Sequence, residues 1–270
     1  MKSSHYKYFA ALLLFGSNGI VASNINLPSY EIVLLRLLLG SLFLIAVFMA
    51  SGQKFTFYRN KHTCLYLFIS ASAMGASWML LYEAYHQVGV SIASLAYYCG
   101  PVIVMILSPF LFRETLTWPK IAGFLTVLAG MCLVNLQALD EGKTIWGLFC
   151  GLMSAFMYAL MVTANKKAKP ESGLENSLLQ LVIGSFIVVA FVSMQKNFVL
   201  SLTTIDWIPV LLLGLLNTGI GCYLYFSSIT NLPVQTVAIC GYLEPLSAIV
   251  FSVLFLHEIL LPLPVSYTHL

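Results

Sequence analysis

Apolar residues run through this chain in blocks of about twenty, separated by short polar or proline-bearing punctuation. The blocks cover roughly 8–24, 29–50, 63–84, 90–112, 119–137, 144–164, 176–195, 207–229 and 234–256. Each has the length that carries an α-helix across about 30 Å of hydrocarbon. They are continuous rather than alternating, which excludes an outer-membrane barrel with its two-residue period. Connections such as Ile25–Pro28 and Asn231–Pro233 leave no room for a soluble domain. The pattern predicts an all-α membrane protein. The first block follows Lys2 and Lys7 but lacks a small-x-small cleavage site, so it is expected to stay as a helix.

A second pattern lies over the first. Sliding the chain by 144 positions places Glu31 on Glu175, Gly40 on Gly184, Gly75 on Gly219, Tyr98 on Tyr242, Pro101 on Pro245 and Glu114 on Glu258. Matching leucines carry little weight in so apolar a chain, but Glu, Pro and Gly in register do. The repeat is too long for a solenoid and reads as a duplicated half-protein, divided as 1–137 and 138–270. Five spans per half is an odd number, so the second half enters the membrane from the opposite side, an inverted repeat. The fold expected is therefore a ten-helix 5+5 inverted repeat. The tenth span would fall at about 263–280 by the same offset, whereas the sequence given stops at Leu270 after Pro262 and Pro264. Nine helices are expected here, with the tenth truncated and the last residues foreign to the fold.

Composition agrees with the bilayer as solvent: 60% of residues are hydrophobic and 9% charged, against about 25% charged in soluble domains. The distribution of charge gives an orientation. With the N-terminus inside, Lys2, Lys7, Lys54, Arg59, Lys61, Arg113, Lys120, Lys166, Lys167 and Lys169 are cytoplasmic, and only Lys143 and Lys196 are outside. The six cysteines fall in or beside spans with no C-x-x-C pair, so packing is expected of them and neither a metal site nor a cofactor.

Ionisable residues inside spans mark function by default. Glu244 is the deepest and precedes Pro245, which removes a backbone hydrogen bond and kinks the helix. Such a carboxylate suits a proton, a cation or a substrate amine; a structural acid bonded to a neighbouring helix is the alternative. Arg36 lies a third of the way into the second span. Its structural reading is a side chain that snorkels or pairs with Glu31; its functional reading is a fork for a substrate carboxylate. Trp78 and Tyr82 share a helix face, Tyr98 and Tyr242 are too deep for interfacial belts, and Tyr158 and Asn18 add polar groups in other spans. Tyr85 and Trp207 are expected in the belts.

Arg36 in the second span, Pro101 with Arg113-Glu114 twelve residues on, and Pro245 with His257-Glu258 at the same spacing resemble the drug/metabolite transporter superfamily, closest to its EamA-type members. The resemblance implies a bacterial inner-membrane carrier with a central cavity, many such carriers exporting amino acids or other small metabolites without ATP. It favours Trp78, Tyr82, Tyr98, Tyr158, Tyr242, Glu244 and Asn18 as substrate contacts. Arg36, Glu31, Pro101, Pro245, Glu114 and Glu258 are left to structure or gating. The expected function is secondary transport by alternating access, the two halves rocking around a mid-membrane cavity, with a small-molecule substrate and protons as the candidate coupling ion. A flippase for lipid-linked sugars is the alternative. No phosphate-binding G-x-x-x-x-G-K-[ST] occurs, and His257-Glu258 lacks the second histidine of H-E-x-x-H because position 261 is Leu. No enzyme and no nucleic-acid partner is expected, and the chain acts as a monomer or homodimer.

Overall fold

The computed structural model describes residues 2–118, 145–194 and 207–256, with 121–123, 125, 126 and 129. The described residues form helices and turns and contain no strand. In chain order they are α1 Lys2–Gly16, α2 Asn18–Ser23, α3 Ser29–Ala50, α4 Lys61–Val88, α5 Val90–Tyr97 and α6 Gly100–Phe112. Then come α7 Ile145–Ala168, α8 Gly173–Ser193, α9 Trp207–Ile229, α10 Val234–Cys240 and α11 Leu243–Leu256. Among the described residues, seven helical stretches are long and apolar enough to cross a membrane: Tyr30–Ala50, Lys61–Val88, Ile92–Phe112, Ile145–Ala168, Gly173–Ser193, Trp207–Ile229 and Val234–Phe255.

These seven fall on seven of the nine expected blocks. The first expected span is instead split at Ser17 into α1 and α2, each too short to cross alone. Most of the fifth, and the segment from 257 onward with Glu258 and the expected tenth span, lie outside the described residues. Local chemistry sets the ends. The Asn60 side chain accepts the His62 N–H at 2.9 Å and starts α4, while Gly89 at φ 79° ends it in a conformation that glycine adopts without strain. Ser172 caps α8 at the Glu175 N–H. The Glu175 carboxylate does not turn back on its own helix: it accepts the Thr56 N–H at 2.6 Å and the Phe57 N–H at 2.9 Å, tying the loop after α3 to the start of α8. Gln53 accepts from Ser172 at 2.7 Å beside it.

The helices do not sort by sequence half. Helix α4 packs on α7 and α8, and α5 and α6 pack on α7. Helix α1 packs on α9 and α11, and α3 on α9. Helix α8 joins the two groups, packing on α3 and α9 as well as on α4, and α6 packs on α10. Each group takes spans from both repeats. Contacts recur at the 144-residue offset: a Cβ added at Gly40 would meet Thr218, and one at Gly184 would meet Met74; one at Gly75 would meet Ile187, and one at Gly219 would meet Phe43.

Buried polar groups fasten the crossings. Asn165 and Asn176, both fully buried, exchange side-chain hydrogen bonds of 2.9 and 3.1 Å across the α7–α8 hairpin, and Asn176 also donates to the Phe226 carbonyl of α9 at 3.1 Å. Replacing Asn176 by Leu orphans two buried partners, and is expected to lower stability by about 1–2 kcal/mol. Reversible unfolding in detergent measures it.

Candidate substrate site

Three of the helical spans break at mid-length, and the breaks lie together. In the fourth span the helix stops at Tyr97 and restarts at Gly100, with Pro101 in the first turn of α6. In the ninth it stops at Cys240 and restarts at Leu243, with Glu244 and Pro245 in the first turn of α11. The breaks are repeat mates, and the mates touch: the Tyr242 hydroxyl donates to the Tyr98 carbonyl at 2.9 Å, a pair 144 residues apart. Proline has no N–H and supplies the interruption in each. The break in the first span, at Ser17, faces the ninth: a Cβ on Gly16 would lie 2.9 Å from the Glu244 carbonyl, so only glycine permits this approach.

Aromatic rings gather at the breaks. Tyr97 meets Tyr98 and Tyr158, each with ring centres 5.6 Å apart. Tyr158 shares a hydrogen bond of 3.3 Å with the buried Tyr225, which packs against Tyr8 and Phe15. The Tyr8 hydroxyl reaches the Val237 carbonyl of α10 at 2.8 Å. The half-buried Glu244 carboxyl lies within electrostatic range of Tyr8, Tyr85, Tyr97, Tyr98 and Tyr158. Tyr85 contacts Tyr82 edge-on and bonds Ser94 at 3.4 Å. Its ring thus lies beside the cluster, near the end of α4.

Arg36 overturns the expected pairing with Glu31. Among the described residues no ion pair joins the two. The guanidinium is turned the other way, over the Trp78 ring at 4.7 Å, with Nε donating to Thr218 Oγ1 at 2.9 Å. It lies within reach of Tyr82 and within electrostatic range of Glu244, yet forms no ion pair with that carboxylate either. The receiver, Thr218, sits in a π-helical stretch of α9, Leu212–Ile220, and its hydroxyl donates to the Leu213 carbonyl five residues back at 2.8 Å. Such stretches widen a helix and mark functional positions. Its neighbour Asn217 donates to the Leu14 carbonyl, Ser17 and Asn18 at 2.9–3.0 Å, holding the break in the first span.

The structure therefore brings together Trp78, Tyr82, Tyr98, Tyr158, Tyr242 and Glu244 with Arg36, while the amide of Asn18 bonds Asn217 at the edge. Pro101 and Pro245 shape the backbone there. Glu83 and His86, which follow Trp78 on α4, stand apart: Glu83 accepts from Gln87 and Trp146, and His86 is exposed. Glu114 is remote from the rings and accepts backbone N–H groups of α10, and Glu31 is buried at the start of α3. Sequence reasoning passed over Tyr8, Asn217 and Thr218. Asn217-Thr218 is the only amide–hydroxyl pair inside the 207–229 block, a visible signal, whereas Tyr8 sits where an interfacial tyrosine is ordinary.

Known proteins resemble this arrangement along nearly the whole chain. The uncharacterized transporter YxxF of Bacillus subtilis is 28% identical over 256 residues, spanning 92% of this chain and 80% of that protein. The biotin transporter of Salmonella typhimurium is 21% identical over 237 residues, spanning 86% and 77%. A crystal structure of a protein 19% identical shares the fold, with a TM-score of 0.79 over 94% of this chain and 88% of the other. The EamA-like transporter profile matches residues 5–136 and 145–265, taking in both repeats. On that match the chain belongs to the EamA-like transporter family and is a multi-pass membrane protein.

Proposed function

We propose that this protein is a secondary transporter of the drug/metabolite type that exports a small zwitterionic metabolite, such as an amino acid, by alternating access across a bacterial inner membrane. The carrying observation is the relation of Arg36 to Glu244. Opposite charges within membrane spans are normally paired, because an isolated one costs several kcal/mol. Here the two share one aromatic-walled space without an ion pair between them. A ligand with a carboxylate for the guanidinium and an ammonium for the glutamate completes both. The tyrosines give the hydrocarbon part a flat, amphipathic wall. Glu244 then binds either the ammonium or a proton, which couples export to proton entry.

The ten-span inverted repeat, with its N-terminus inside, is the topology that this reading adopts. Its supports are the contacts recurring at the 144-residue offset and the meeting of loop 51–60 with residues 169–175, the side rich in lysine and arginine. The two sequence halves do not move as separate bodies in this reading, because α4 packs on α7 and α8 across the repeat boundary.

The test is exchange in proteoliposomes with L-phenylalanine, L-leucine and L-lysine as probes, each beside its amide and its deaminated acid. Exchange of free amino acids with rejection of both blocked forms is the expected result. Equal exchange of the deaminated acids would remove the amine contact, and no amino-acid exchange in the panel would sink the reading.

A further inference from the structure

Two side chains of opposite charge grip one hairpin, and the site described above uses neither. The hairpin is the turn Thr230–Pro233 between α9 and α10. After the turn, the Glu114 carboxylate, just past the end of α6, accepts the Val234 N–H at 2.7 Å and the Gln235 N–H at 3.0 Å. Before it, the Lys166 ammonium near the end of α7 donates to the Ile229 carbonyl at 3.3 Å, to Thr230 at 2.7 Å and to Leu232. Deeper, Gln235 Nε2 donates to Ser108 Oγ at 2.9 Å, with both residues fully buried. Arg113, with φ 57°, turns the chain so that Glu114 can reach the hairpin.

We infer that Glu114 and Lys166 form a two-handed gate, holding the α9–α10 hairpin against α6 and α7 and closing the transport path at this end. Glu114 follows α6 and Lys166 lies near the end of α7, so parting the α9–α10 hairpin from these two helices must break both. Charge-assisted bonds to backbone groups exceed neutral ones in strength, and losing them together admits water to the ends of both helices. The repeat does not reproduce the pair: the position 144 residues before Lys166 is Ala22. The 144-residue offset therefore supplies no second lysine for this role. This gate does not depend on the substrate proposed above.

Hydrogen exchange of the purified protein in lipid nanodiscs tests it without any substrate. In Glu114→Ala and in Lys166→Met, amide exchange in a peptide spanning 230–240 is expected to rise at least tenfold over the unsubstituted protein. Peptides in α4 and α8 should hold their protection. The double exchange Glu114→Lys with Lys166→Glu should not restore it, because each hand needs backbone of one polarity. Unchanged exchange at 230–240 would overturn the gate. A rise spread equally through α4 and α8 would reduce the two residues to general stabilisers, and recovery in the charge-swapped protein would show that they serve only as a pair with each other.

Discussion

Glu244→Gln is expected to slow amino-acid exchange about 100-fold and to erase its dependence on pH, while leaving the melting temperature nearly unchanged. The substitution keeps the shape of the side chain and one carbonyl oxygen but removes the charge. Truncating one partner of a desolvated charge pair costs about 2–5 kcal/mol, and a tenfold rate change corresponds to about 1.4 kcal/mol; 100-fold lies inside that range. The protonated carboxyl and the glutamine are both neutral, so a step that needs the charge to come and go is lost in the variant. Exchange measured from pH 5.5 to 8.5 in proteoliposomes decides it. A variant that keeps the pH profile of the unsubstituted protein would make Glu244 a packing residue at a helix break. The deaminated acid gives a second readout: lacking an ammonium, it should bind the glutamine variant as well as it binds the original.

Much of the frame could be read from the residues because the bilayer punishes irregularity. A span must be apolar for about twenty residues, so seven blocks and their helices coincide within a few positions. Pro245 likewise announced the break in the ninth span, since proline cannot complete the backbone ladder, and the break at its repeat mate Pro101 followed the same logic without being expected. The split at Ser17 was not legible. No proline marks it, and part of what holds it is remote in sequence: Asn217, some 200 residues on, donates to the Leu14 carbonyl, which also accepts from Ser17, and to the Ser17 and Asn18 side chains. The partner of Arg36 was missed for a similar reason. Glu31 is near in sequence, but a residue five positions back on a helix projects away from that face, whereas Thr218 faces it from a crossing helix. The mixing of spans from both repeats was equally hidden, because a repeat shows which segments are equivalent and says nothing of which ones pack.

Glycines at the crossings make the strongest claim about stability, and the repeat supplies its own control. A Cβ added at Gly75 would stand 2.9 Å from the Gly184 carbonyl oxygen and 3.0 Å from Ile187 Cβ, where α4 meets α8. The carbonyl is backbone inside a helix and cannot step aside, so the helices must part. Gly75→Ala is expected to cost about 1–3 kcal/mol, and Gly75→Leu to abolish monodisperse protein in size-exclusion chromatography. Its mate Gly219 faces the ring of Phe43 at 2.6 Å, a side-chain edge that can turn away, so Gly219→Ala should lose less. Gly19 has nothing within 4 Å of the added carbon. There alanine should be neutral or stabilising, since it favours a helix over glycine by about 1 kcal/mol. Thermal melts of the three alanine variants in one detergent give the order: Gly75 lowest, Gly219 between, Gly19 at or above the original. Were Gly75→Ala to melt with Gly19→Ala, close backbone contact between α4 and α8 would not be what holds these two spans in place.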